Sequence, residues 1–485
     1  MQRTPRTVMR ALTRGGGRHR RLPWRLWILS LAVAVVAFLL TLMTRAAGAA
    51  LQAGGPTIAV RLGSIITIDA SETDHVEPWV AVDPRRPNRV IAAAIAQGSN
   101  SVVYASEDTG NTWVRGGIGA AASNTFAGID PVVVFDGRGI AYFATSPPFH
   151  VWRSEDGGRV WNAPTVVPGR GYDRQFLAVR PGGPAGDTLF AVGRIEMTVF
   201  GPDVNGAIAV AQSADGGATF GFPRIFLPDP TRSIIHTPGG VVATSDGKVM
   251  ISYMAHDRPV LDGALLRNHI WVMRSDDGGR RFADPVAVSP SVLHGNRSGR
   301  ILAAKSASIA AIAMDTASSS PWRGRVAVSW LTRHEGRLQV MVATSSDTGR
   351  SWTEPVRVND DSTGANHSTP VVAVHYGVIV VLWNDRRADP GDLCFRATVS
   401  ASLDGGVTFL PNVAVPVAET CPLRTGSPLT ERNRSFRERW LNGGETQGLV
   451  PIGAGAFLAV TVEEVRGALQ LRAARIEVSG RFTGR

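Results

Sequence analysis

Two chemistries are open to the polar residues of this chain. Arginines stand beside acids in three places, Arg174 in YDRQFLAV, Arg258 in AHDRP, and Arg386 with Arg387 in WNDRR, with Arg194 and Arg333 elsewhere. A guanidinium matches a carboxylate bidentately, so such groups suit either clamping an acidic ligand or bracing a turn. The acids available beside them are Glu77, Asp130, Asp173, Glu196, Asp257, Asp385 and Glu445. Asp385, Asp389 and Asp392 could hold Ca²⁺ through oxygen ligands, but Arg386 and Arg387 between them favour an Asp/Arg-braced turn. The 10 histidines are scattered without ligand spacing, so no metal and no cofactor is expected. No Gly-x-Ser-x-Gly elbow and no phosphate-cradling glycine loop occurs.

The elements that position these residues come from a repeat. SEDTGNTW (106–113), SEDGGRVW (154–161), SADGGATF (213–220), SDDGGRRF (275–282), SSDTGRSW (345–352) and SLDGGVTF (402–409) share Ser-x-Asp-x-Gly-x-x-aromatic. Each follows an apolar extended run, which reads as a hairpin turn. The Asp accepts backbone N–H groups, the Gly takes positive φ, and the aromatic packs into the sheet. The pattern resembles the Asp-box (BNR) repeat of the sialidase superfamily and related β-propellers. The resemblance implies an all-β, seven-bladed Asp-box β-propeller, with six blades as the alternative. It also implies that Asp108, Asp156, Asp215, Asp277, Asp347 and Asp404 are structural and that function lies on the face opposite the boxes.

Inner strands are expected near Trp79, Val132, Phe176, Val241, Ile309, Val371 and Leu449. The seventh unit, 448–478, lacks a box and a fourth strand, which 57–69 can supply by pairing with the C-terminal strand. The long segments 283–307 and 411–447 fall on the working face, with a short helix expected in TERNRSFRERWL. On that face the resemblance assigns catalysis to Tyr172 as nucleophile with Glu196, together with Asp130, and substrate binding to Arg174, Arg194, Arg258, Arg333 and Arg386. Strand-end hydrogen bonding is the plain alternative. The Arg-Ile-Pro-type motif of sialidases is absent from 57–90, and the family's tyrosine comes later in the chain than Tyr172. Activity therefore stays open between a sialidase-type glycoside hydrolase, a two-carboxylate polysaccharide-cleaving enzyme and a non-catalytic scaffold at the cell envelope.

Composition bounds the setting. The net charge of +11 includes nine arginines within residues 1–45, where there is no Asp or Glu, leaving about +2 for the rest. Nucleic acid is thus not an expected partner; a glycan or a cell-envelope protein is. Residues 1–25 read as a basic cytoplasmic tail and 26–43 as a transmembrane anchor or signal segment long enough to span a bilayer. Residues 44–56 form a linker and 57–485 the propeller. The expected location is bacterial, membrane-anchored with the propeller outside, or secreted. In that compartment the only two cysteines, Cys394 and Cys421, are expected to be bonded across the last box.

Overall fold

The computed structural model describes residues 59–480, apart from 72, 99, 120–124, 183–185, 201–202, 227–233, 258–264, 295–308, 390, 392–393, 423–439 and 441. The apolar run 26–43 and most of TERNRSFRERWL therefore lie outside the described residues. Among the described residues no helix is long and apolar enough to cross a membrane.

The described chain is all β. Seven sets of antiparallel strands follow one another, numbered here as sheets one to seven by their first strands: His75–Asp83, Ile129–Phe135, Tyr172–Arg180, Ile234–Ala243, Ala311–Met314, His367–His375 and Gly448–Gly453. Sheets one to six each run through four strands in chain order. Sheets three and four are joined by one parallel pairing, Gly206 with Ile235. In sheet seven, Ala456–Val465 and Ala468–Ser479 follow the first strand, and the fourth place is taken by Ala59–Thr67. That strand pairs antiparallel with Arg472–Ser479, from Ala59 opposite Ser479 to Thr67 opposite Arg472.

Middle strands such as Val378–Asp385 (VIVVLWND) are buried at every residue. Continuous apolar runs of this kind, rather than alternation, arise when a sheet is covered on both faces. The core is accordingly a series of layers between sheets. Val133, Phe143, Trp152 and Trp161 join Ile91 and Val103 between sheets one and two. Other clusters bridge two and three, three and four, four to six, and six and seven. One more joins Val90, Ala92 and Tyr104 of sheet one to Leu458, Val460 and Leu471 of sheet seven. The first strand of every sheet also lies against the first strands of its two neighbours, Gly448–Gly453 against His75–Asp83 included.

The six boxes are turns between third and fourth strands. In each, the Ser hydroxyl donates to the Asp carboxylate, as from Ser213 to Asp215 at 2.7 Å. The Ser oxygen in turn accepts the N–H of the glycine at the fifth box position, as from Gly217 at 2.9 Å. The Asp also accepts the N–H four residues on, as from Thr219 at 3.0 Å. Burial opposes ionisation of Asp215, but the Thr219 and Ser213 bonds outweigh it and hold the carboxyl at about 2. The last box glycine presses on the preceding sheet: Gly279 of sheet four on Phe190 of sheet three, and Gly110 of sheet one on Leu458 of sheet seven.

One expectation needs correction. Segment 283–307 is not a loop throughout, because Val286–His294 forms the fourth strand of sheet four. The first strand of sheet five, expected near Ile309, begins at Ala311.

Cys394 and Cys421 are bonded, with Cα atoms 4.2 Å apart, and Phe395 pairs with Thr420 beside them. Since the link spans a sequence separation of 27, a Cys394→Ala/Cys421→Ala variant is expected to lose about 3–4 kcal/mol in urea unfolding. A loss below about 1 kcal/mol would show that the bond adds little constraint to the unfolded chain.

Candidate functional site

On the side away from the boxes, the first strands carry a repeated irregularity. Register shifts between Val76 and Trp79, Ile129 and Val132, Asp173 and Phe176, and Ser368 and Val371 mark β-bulges in sheets one, two, three and six. In each bulge one residue has positive φ: Glu77 (56°), Asp130 (55°), Arg174 (56°) and Thr369 (53°). None is glycine, and for β-branched Thr369 this is a genuine outlier. Such backbone costs about 1–3 kcal/mol per residue and concentrates at working sites.

Three of the four converge. Glu77 and Asp130 are hydrogen-bonded carboxyl to carboxyl, with Arg174 beside them. The Arg174 backbone N–H donates to Asp130 Oδ2 at 3.4 Å, and its guanidinium is ion-paired with Glu445. Asp173 is ion-paired with Arg194. Gln175 donates its amide N–H to the carbonyls of Ile129 (3.1 Å) and Asp130, holding the bulge of sheet two against that of sheet three.

Burial and the Asp130 charge push Glu77 up to about 8, against the opposing pull of Arg174. Asp130 is also raised, by burial first. Both carboxyls are raised, so the proton belongs to the pair rather than to either residue alone. Two carboxyls in contact cannot both ionise cheaply, so one proton is shared between them at neutral pH.

The segment Asn442–Gln447 crosses this group on its way from sheet six to sheet seven. Trp440, just before it, donates Nε1–H to Glu77 Oε1 at 3.0 Å, and the Glu77 N–H donates to the Gly443 carbonyl at 2.9 Å. Asn384 and Arg386 of sheet six donate to the carbonyl and side-chain oxygen of Asn442, both at 2.7 Å. Gln447 donates to the Thr369 carbonyl at 2.9 Å. Gly444, at φ +111°, lies where a Cβ would collide with Glu77. Below this segment runs a central cavity of about 390 Å³ lined by all seven first strands, through Trp79, Phe176 and Leu449 among others, and by Gln447.

The expected site residues divide. Asp130, Arg174 and, through Asp173, Arg194 belong to this group, with Glu77 and Glu445 from the same face. Tyr172 is 3% exposed, edge-on to Phe149 at 5.2 Å, and its hydroxyl donates to the Pro168 carbonyl at 2.8 Å. Burial pushes it up to about 12, so its surroundings are those of a core residue. Arg386 is 2% exposed, stacked over Phe395 at 5.4 Å and bonded to Asn442, which makes it a brace beneath the segment. Arg333 is the next-to-last residue of the second strand of sheet five and, among the described residues, forms no ion pair with the group. The side chain of Glu196 and the whole of Arg258 lie outside the described residues.

Asp385 is held by Arg387 at 2.8 Å and Trp383 at 3.1 Å, and Asp389 by the Gly391 and Cys394 N–H groups. These are the bonds of a braced turn; Asp392 lies outside the described residues.

What sequence reasoning missed is Trp440, the Glu77–Asp130 bond and the three amides Gln175, Asn384 and Gln447. One signal pointed to the bulges: three of the four strained residues precede proline (Pro78, Pro131, Pro370).

No protein-family model and no curated protein matches the sequence. Solved structures do. A Dyadobacter fermentans protein of unknown function is 14% identical, over 86% of this chain and 99% of its own, with a TM-score of 0.42. An α-L-arabinofuranosidase of Fusarium graminearum is 12% identical over 86% and 98%, with a TM-score of 0.43. A Trypanosoma rangeli sialidase is 14% identical over 87% and 60%, with a TM-score of 0.41. At these identities and TM-scores the likenesses bear on neither substrate nor mechanism.

Proposed function

We propose that this protein is an extracytoplasmic, sialidase-like Asp-box propeller of seven blades, closed by its N-terminal strand, that acts on glycans at the mouth opposite the boxes. The pairing of Ala59–Thr67 with Arg472–Ser479 and the core cluster joining sheets one and seven support the closed ring. The 26–43 segment is its membrane anchor or export signal.

The observation that carries the functional reading is the Glu77–Asp130 pair beside Arg174. A carboxyl held protonated to about pH 8 can donate a proton at neutral pH, and the carboxylate bonded to it can take one back. Trp440 orients the acid, and Arg174 with Asp173 sets the charge around it.

The reading departs from sialidase-type chemistry on one point. Tyr172, the nucleophile expected by resemblance, has its hydroxyl committed to Pro168 inside the core. It departs from a two-carboxylate glycosidase as well. Carboxyls in direct hydrogen-bond contact are closer than the roughly 5–9.5 Å that separates the catalytic pair of such enzymes. Glu77 and Asp130 act as one acid–base unit, and a second group comes from the substrate or from elsewhere on the face.

The test is hydrolysis of a panel of aryl glycosides and polysaccharides by the protein and by its Glu77→Gln and Asp130→Asn variants. Turnover lowered at least about 100-fold in both supports the reading. Turnover unchanged in both contradicts it. Binding without turnover in every protein favours the envelope scaffold, a reading helped by the seating of Asn442–Gln447 across the mouth.

A further inference from the structure

Six large apolar side chains are exposed among the described residues: Val114 (58%), Val160 (45%), Val166 (53%), Phe222 (89%), Ile225 (38%) and Val407 (67%). Single exposed apolar residues are ordinary, so only their placement can carry meaning. Val160 and Val407 lie within boxes, Val114 directly follows the first box, and Phe222 comes two residues after the third. Four of the six therefore stand at the box end of their sheets. Those sheets are six, one, two and three, while the described residues of sheets four and five carry none.

The second observation is where the chain enters. Ser479 ends the third strand of sheet seven, the place that a box takes in the other six sheets, and Ala59 pairs with it. The described chain thus enters at the box end of sheet seven. Core clusters pack sheet seven against six and one, so this entry falls within the arc of sheets that carries the exposed side chains. Only 15 residues, 44–58, separate Ala59 from the apolar run 26–43, a reach of about 50 Å at most. A bilayer facing the box end is met directly. One facing the mouth is met only after the chain passes the length of a 9-residue strand, about 30 Å.

The third is the arginines beside the boxes of sheets one and two. Arg89, Arg138 and Arg153 are ion-paired with Glu107, Asp136 and Glu155, and Asp108 and Asp156 are hydrogen-bonded within their boxes. Arg86 and Arg159 are exposed and form no ion pair among the described residues. Exposed guanidiniums next to apolar side chains suit an anionic lipid surface.

We propose that this arc of the box rim rests on the membrane, with Val114, Val160, Phe222 and Val407 at headgroup depth and Arg86 and Arg159 against lipid phosphates. The occupant is the bilayer entered by the 26–43 anchor, and the inference rests on that anchor, not on the chemistry of the mouth. Docking removes the four apolar side chains from water, and the short tether holds the rim at high effective concentration. The consequence for function is orientation, since the mouth on the opposite side is turned away from the lipid.

The experiment reconstitutes the full chain into phosphatidylcholine vesicles, with and without phosphatidylglycerol. A fluorophore is carried on one new cysteine at a time, Phe222→Cys, Val407→Cys or Val166→Cys, with circular dichroism confirming each fold. The native cysteines are bonded to each other, so the new thiol alone reacts. Val166 is similarly exposed but pairs with His150 at the start of a third strand, far from the box, and serves as the control. Phospholipid bearing a headgroup nitroxide is expected to quench the Phe222→Cys and Val407→Cys probes at least about twofold more than the Val166→Cys probe. Phosphatidylglycerol is expected to deepen that quenching, and Arg86→Ala with Arg159→Ala to abolish its added effect. Equal quenching at the three positions, or at none, overturns the inference and leaves the anchor standing. Probes on the rim that are shielded from aqueous iodide yet unquenched by lipid would mean that protein, such as a second copy, covers it, which also overturns the inference. A chain that does not enter the vesicles at all overturns the inference together with the anchor.

Discussion

Replacing Glu77 by Gln is expected to remove a fall in stability between pH 4.5 and pH 8. Below the ordinary value of 4.5 the carboxyl is protonated in both folded and unfolded chains and contributes no pH dependence. Above it the unfolded chain releases the proton, while the folded protein keeps it up to about 8. Throughout that window the folded state binds more protons than the unfolded, so stability decreases as pH rises. A shift of this size corresponds to about 3–5 kcal/mol across the window. Gln preserves the geometry, since its amide can donate to Asp130 and accept from Trp440, but it does not titrate. Urea unfolding at intervals from about pH 5 to pH 8 should give a downward slope for the unaltered protein that is missing from Glu77→Gln, so that the difference between the two narrows as pH rises. Parallel curves for the two would mean that Glu77 ionises normally, and the proton-sharing pair would be lost with it.

The second large effect is expected at a box glycine. Gly279 has φ +78°, and a Cβ there would lie inside contact distance of the Phe190 ring in the preceding sheet and 2.9 Å from Gln212 Nε2. Gly171 has φ +65° and nothing within 4 Å of the same position. Ala at either site bears the strain of a left-handed backbone, about 1–2 kcal/mol. Only at Gly279 must two sheets also move apart, through a core that close packing makes stiff. Gly279→Ala is therefore expected to cost at least about 3 kcal/mol and Gly171→Ala about 1 kcal/mol. Equal losses would show that the box glycine serves the turn alone and does not wedge one sheet against the next.

The comparison of those two glycines also shows what the sequence makes readable. The box turns were legible because Ser, Asp, Gly and the aromatic all act within eight residues, and six copies repeat the same local bonds. The Cys394–Cys421 bond was legible for a similar reason, since one hairpin brings both residues to neighbouring strands. Pairing of Ala59–Thr67 with the C-terminal strand followed from a sheet otherwise left one strand short.

The site was less legible because its bonds are long-range. Trp440 and Glu77 are 363 residues apart, and Arg174 meets Glu445 from the segment between sheets six and seven. No spacing rule links them. The bulges that turn Glu77, Asp130, Arg174 and Thr369 into positive φ have only a following proline as a cue, and Arg174 lacks even that. Tyr172 misled for the opposite reason. An Asp-Arg neighbour suggests chemistry, yet alternation along the strand sends the tyrosine into the layer with Phe149 and Phe176.

The measurement that bears most directly on the working face is a glycan array read with four proteins: unaltered, Asp130→Asn, Arg174→Ala and Asp215→Ala. The first two substitutions alter the mouth, and the third removes a box carboxylate on the opposite rim. The account expects glycan signal in the unaltered protein, loss of it in Asp130→Asn and Arg174→Ala, and retention in Asp215→Ala. Signal lost only in Asp215→Ala, or retained in all three variants, would contradict it.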